Sequence, residues 1–151
     1  MHSLFEEFYT AEKFDAIEMG FVLEHVDDPL FVVKQFSGFL RPGGSLFVAI
    51  PNAKSLHRLV GYHAGLLDNL YLLSEHDLAL GHKRYFDLVS LRKLLLESGL
   101  KIRGMEGIFL KPFSTEQLKS LALSPGVLSA LSSIAVHYPE ISNAIFAEAT
   151  S

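Results

Sequence analysis

Apolar and polar positions follow two rhythms along this chain, and the changes of rhythm mark its elements. Residues 14–19 (FDAIEM) and 45–50 (SLFVAI) are short, mostly apolar runs of the length expected for strands buried on both faces of a sheet. Between them Leu30, Val33, Phe36 and Leu40 recur at spacings of three and four, the stripe of a helix over 29–40 lying on that sheet. Lys34 and Gln35 fall on its solvent side. Asp27-Asp28-Pro29 is a helix start, and Arg41-Pro42-Gly43-Gly44 is a stop that turns the chain into the next strand. The two glycines precede a strand instead of opening a helix, so they read as a turn and not as a phosphate loop. Strand, helix and strand make a parallel crossover, right-handed by rule.

Residues 1–13 place Leu4, Phe5, Phe8 and Tyr9 on one side of a short helix, a packing segment for the sheet end. Downstream, 55–67 has a helical pattern weakened by Gly61 and Gly65, and suits a lid over a pocket. Residues 68–80 are irregular. A helix over 88–98, with Leu91, Leu94 and Leu95 apolar, stops at Gly99. Residues 100–110 alternate as a strand with Gly104 and Gly107 marking a bend or bulge. Two short helices, 117–123 and 127–136, break at Ser124-Pro125-Gly126, and 142–149 is a final strand. The division is therefore one domain over 1–151: N-terminal segment 1–13, core 14–110, helical insert 111–141 and last strand 142–149.

Composition narrows the class. At 151 residues the chain is one domain with room for a core, and 49% hydrophobic against 20% charged residues fits a globular protein. Its mean hydropathy of +0.27 is slightly apolar, as an uncovered interface would make it. A net charge of -4 without a basic stripe argues against nucleic acid. The absence of cysteine removes disulfides and thiolate metal sites. No apolar run reaches the ~20 residues of a membrane span, and the N-terminus lacks a basic flank followed by an apolar core, so a cytoplasmic protein is expected. His57 and His63 are six apart and do not share a helix face, and no His-x-x-x-His pair occurs, so no metal is expected.

Three blocks carry a resemblance: FDAIEMGFVLEHVDDP from Phe14, FLRPGGSLFVAIPN from Phe39, and GHKRYFDLVSLRKLLLESGLKI from Gly81. In this order and spacing they resemble the C-terminal half of a class I S-adenosylmethionine-dependent methyltransferase of the small-molecule type. The resemblance covers most of residues 14–149. It implies an α/β fold: a partial Rossmann-like sheet of about four strands with flanking helices, a helical insert before the last strand, and that strand antiparallel. In order of appearance, the spatial order would be first, second, fourth, third. The family's earlier strand with its Gly-rich turn, and the acidic residue that holds the ribose, have no counterpart here: no Gly-x-Gly segment follows a strand in this sequence.

The same resemblance places Met19, Gly20 and Phe21 at the methionine end of S-adenosylmethionine, of which only a partial site is expected. Glu24 and His25 would adjoin the substrate pocket, or else cap and brace the following helix; the residues leave both open. Asn52 would lie at the rim as a substrate contact. His82 and Tyr85 or Phe86 would point into the active-site mouth. His82 and His25 are then the catalytic candidates, since a neutral imidazole can accept a proton from a hydroxyl; His82 could equally fix its own turn. The implied acceptor is a small molecule methylated on O, N or C. A first strand missing its neighbour implies a homodimer or larger through that edge or the N-terminal segment. The alternative is a non-catalytic fragment serving as an interaction module.

Overall fold

The structure, a computed structural model, describes residues 4–151; the first three residues of the N-terminal segment lie outside the described residues. Phe14–Gly20 (β1) and Leu40–Pro51 (β2) run parallel, with Ile17 opposite Leu46 and Met19 opposite Val48. The connection between them is Pro29–Ser37 (α1), whose N-cap Asp28 accepts the Phe31 N–H at 3.0 Å with Pro29 at the first helical position. α1 ends before Leu40, the last position of the expected stripe, and its buried pair is Val32 and Val33. Arg41 to Gly44 belongs to β2 as a bulge and does not form a separate turn. Phe14 pairs with Leu40 and Ala16 already pairs with Ser45, so the extra residues loop out around Gly43 at φ +79.

Leu56–His63 (α2), Glu75–Ala79 (α3) and Leu88–Glu97 (α4) follow. α3 falls in the stretch that showed no pattern, because a five-residue helix is too short for a period. Its reciprocal cap, Ser74 with Asp77, is what holds it. Asp87 and Ser90 cap α4 in the same way, and Leu91 and Leu95 are fully buried against the sheet. Lys101–Ile108 (β3) bulges between Ile102 and Gly104. Thr115–Ser120 (α5) and Pro125–Ala135 (α6) form the insert, with Pro125 opening α6 behind its cap Ser124 instead of breaking the helix. Ala144–Thr150 (β4) is antiparallel to both β2 and β3.

The sheet order is β1-β2-β4-β3, the order expected, in a mixed α/β sheet with flanking helices. Met19, Leu46, Val48, Ile50, Ile145, Ala147 and Ala149 make the face that packs on Val32, Val33, Leu91 and Leu95. The opposite face is only half covered and carries Phe47 stacked on Phe146 with centroids 5.9 Å apart. β1 is an edge, and Asp15, Ala16 and Glu18 are exposed along it.

The N-terminal segment docks on α1. Phe8 stacks on Phe36 at 5.6 Å and meets Phe39 edge-on at 5.7 Å. The Gln35 amide donates to the Phe8 carbonyl, so this half-buried residue holds the segment down and does not face solvent. Among the described residues, no helix is long and apolar enough to cross a membrane.

Gly107 is a glycine for lack of space. A Cβ there would lie 2.1 Å from Ser142 Oγ and 2.2 Å from the Ala135 carbonyl oxygen. Gly107→Ala must push α6 and the loop before β4 off β3, and should lower stability by about 1–3 kcal/mol, read as a fall in the urea midpoint.

Candidate functional site

The carboxyl ends of β1 and β2 and the start of β4 meet at one end of the sheet, where open α/β folds bind ligands. A cavity of about 310 Å³ opens there, bounded by Phe21, Ser55, His57, Asp77, Tyr85 and Lys111, with Asn52 behind it. Asn52 is buried, and its amide hydrogens go to the carbonyls of Pro139, Glu140 and Ser142 at 2.9–3.2 Å. It therefore ties the loop before β4 to the end of β2. A bridge between Asn52 and Phe86 brings the segment ahead of α4 to the same place.

At the end of β1, Met19 is buried in the core, so what it offers the open side is backbone. Gly20 and Phe21 are exposed, and Phe21 holds φ 56 while its N–H donates to Ala49 at 2.8 Å. A left-handed phenylalanine is strained, and such residues gather at ligand sites.

His57 is a residue the sequence reading assigned only to a lid. It lines the cavity, its Nδ1 lies 3.1 Å from Ser55 Oγ, and burial, with Lys111 and Arg58 adding positive charge, lowers its pKa to about 4. It is a neutral imidazole at ordinary pH. No local signal identified it, because the largest cause is burial and the next, Lys111, is distant in the chain; only Arg58 is a neighbour in sequence.

Tyr85 donates to Asp77 at 3.1 Å and accepts from Arg58, whose guanidinium lies 4.2 Å over the Tyr85 ring. Burial first, and Asp77 with it, raises the phenol to about 12 despite Arg58. Burial also pushes the Asp77 carboxyl up, but hydrogen bonds from Ser74 and Tyr85 outweigh it and hold the acid below its ordinary value. Behind this wall, His82 Nδ1 lies 3.6 Å from Asp77 Oδ1, and the His82 and His25 rings meet edge-on at 4.7 Å. Burial first, then the neighbouring His25, lowers the His82 pKa. Glu24 is buried beside them, and desolvation raises its pKa against the pull of its own backbone and His25.

Of the candidates read from sequence, Phe21, Asn52 and Tyr85 thus line the cavity, with Met19 and Gly20 just before Phe21 at the end of β1. Glu24, His25 and His82 form a second group behind Asp77.

A four-stranded sheet of order β1-β2-β4-β3 with an antiparallel last strand defines a Rossmann-like α/β protein with its site at the strand ends. Residues 2–103 match the family described as a methyltransferase domain. The chain belongs to the class I S-adenosylmethionine-dependent methyltransferases.

It is 28% identical over 110 residues to a ubiquinone biosynthesis O-methyltransferase of Aeromonas salmonicida, covering 71% of this chain and 44% of that protein. It is 32% identical over 106 residues to one from Aliivibrio fischeri, covering 68% of this chain and 43% of that protein. The chain therefore spans under half the length of these curated relatives. Its fold is that of an S-adenosylmethionine-dependent methyltransferase from Mesorhizobium loti, with a TM-score of 0.62, 14% identity and 99% of this chain on 68% of that one. It also matches a possible histamine N-methyltransferase from Thermotoga maritima, with a TM-score of 0.59, 19% identity and 98% of this chain on 61% of that one.

A histidine whose folded pKa lies below its ordinary 6.5 makes folding costlier as pH falls, because the unfolded chain takes up the proton first. The contribution is fully present above pH 6.5 and is lost as pH drops through about 4. His57→Asn should flatten the fall of the urea midpoint between about pH 6.5 and 5 relative to the wild type, while the smaller His82 effect persists in both.

Proposed function

We propose that this chain is the acceptor-side portion of a small-molecule methyltransferase that uses S-adenosylmethionine. The observation that carries the reading is the cavity at the strand ends, walled by strained Phe21 and neutral His57. Methyl transfer from a sulfonium is an in-line displacement that asks mainly for positioning, with a base when the acceptor is a hydroxyl. Gly20 and Phe21, with the Met19 backbone, fit the methionine end of the cofactor because the backbone there is open and the side chains leave room. With Nδ1–H directed to Ser55, the other His57 nitrogen is free to accept the acceptor's proton. Tyr85 and Asp77 orient the acceptor, Asn52 fixes the floor, and His82 and His25 stand behind Asp77. The names of the curated relatives favour an oxygen acceptor, and a cytoplasmic setting belongs to the same reading.

Only one wall of a cofactor cleft is present in these residues. Isothermal titration of the chain with S-adenosylmethionine should therefore give a dissociation constant above the low-micromolar range; tight binding would overturn the one-wall reading. With labelled cofactor at saturating concentration and a panel of hydroxylated aromatic acceptors, methyl transfer should be measurable and should fall about a hundredfold or more in His57→Asn. Transfer to none of them would favour the alternative, a non-catalytic interaction module.

The exposed edge of β1 and the half-covered face around Phe47 and Phe146 favour self-association as part of either reading. We expect a homodimer or larger by light scattering at micromolar concentration, and a monomer would count against it.

A further inference from the structure

Among the described residues, four buried side-chain polar atoms have no hydrogen-bond partner, and three of them are the two Glu24 oxygens and His82 Nδ1. A carboxylate only 1% exposed with neither oxygen satisfied is costly to bury. Protonation, which burial favours here, answers for one oxygen at most. A cation between the groups would answer for the carboxylate and for His82 Nδ1.

We propose that Glu24, His25 and His82 form a binding site for one divalent transition-metal ion of the zinc type. Each offers one ligand atom, and the three atoms lie within 4.8 Å of one another. A tetrahedral ion with bonds of about 2.1 Å holds its ligands roughly 3.4 Å apart, so the side chains close by about an ångström around it. The His25 side chain, 34% exposed, has room to make that movement. Two imidazole nitrogens and one carboxylate oxygen suit zinc and its neighbours and not magnesium, which prefers oxygen alone. The fourth position is left to water or to a ligand oxygen.

The surrounding backbone is set for such a site. The Lys83 N–H donates to the Glu24 carbonyl at 2.8 Å, joining the two ligand segments through the main chain. The His82 N–H donates to the Asp77 carbonyl at 2.9 Å, which fixes the third ligand. Asp77 Oδ1, 3.6 Å from His82 Nδ1, adds negative charge beside the site. Gly81, at φ +82, leaves the space beside His25 open: a Cβ there would lie 3.8 Å from His25 Nδ1. The histidines are dispersed in sequence, so the expectation of no metal followed from spacing, and the fold reverses the premise by closing 56 intervening residues between His25 and His82.

The site stands on this geometry whether or not methyl transfer is the activity, so its test needs no turnover. The full chain, stripped with a chelator, is titrated with zinc chloride by calorimetry, with magnesium chloride as the comparison. One equivalent of zinc should bind with a dissociation constant in the micromolar range or tighter, and magnesium should not displace it. Glu24→Gln and His82→Ala should each weaken zinc at least about tenfold, while His63→Ala, which changes an exposed histidine outside the group, should leave it unaltered. Circular dichroism reports whether each variant folds; should Glu24→Gln fail to, His25→Ala on the part-exposed ligand decides the matter by the same loss. No binding at 100-fold excess over a micromolar constant, or binding undiminished in these ligand variants, overturns the proposal.

Discussion

The parallel pairing of β1 with β2 is the constraint on which the rest depends. It puts the carboxyl ends of both strands on the same side of the sheet, so that Phe21 and Asn52 open onto one space although thirty residues separate them. The antiparallel entry of β4 beside β2 then brings its amino end to that space as well, with Ala144 opposite Pro51. An antiparallel β1–β2 hairpin of the same sequence would scatter these residues to opposite ends.

What fixes the site on this platform is buried polar bonding more than apolar packing. The Asn52 amide holds three carbonyls of the loop before β4. Asp87, which caps α4 through Ser90, also takes the Tyr71 hydroxyl and the Lys54 ammonium at 2.7–2.8 Å. Burial pushes the Asp87 carboxyl up, but the Lys54 ion pair and the bonds from Ser90 and Tyr71 hold it far below its ordinary value, so it stays ionised. Because such groups are expensive to leave unpaired, each one removes alternative loop positions. Glu24 departs from this pattern, a buried acid with nothing to bond, in the middle of a segment otherwise well tied down.

The two groups of polar residues meet at Asp77. On one side it receives the Tyr85 hydroxyl facing the cavity, and on the other it faces His82. A change of charge in the Glu24–His25–His82 group therefore has a short path to the cavity wall, through a single carboxylate and a single phenol.

The core strands, the crossover helix, the strand order and the chain's kinship were legible in the sequence. Apolar runs, caps and Pro-Gly signals are local, and the family blocks stand in order along the chain. Gly20, Phe21 and Tyr85 could be named for the same reason, since they lie in those blocks. Tertiary structure alone decided the remainder. The Pro-Gly-Gly segment became a bulge because β1 pairs across it, and Gln35 turned inward because the N-terminal segment covers it. His57 became a neutral cavity residue because burial and two cations surround it, and His25 and His82 became neighbours because the fold joins their loops. Periodicity records what each residue does to its own segment; burial and charge at a site are sums over segments distant in the chain, and no local pattern carries them.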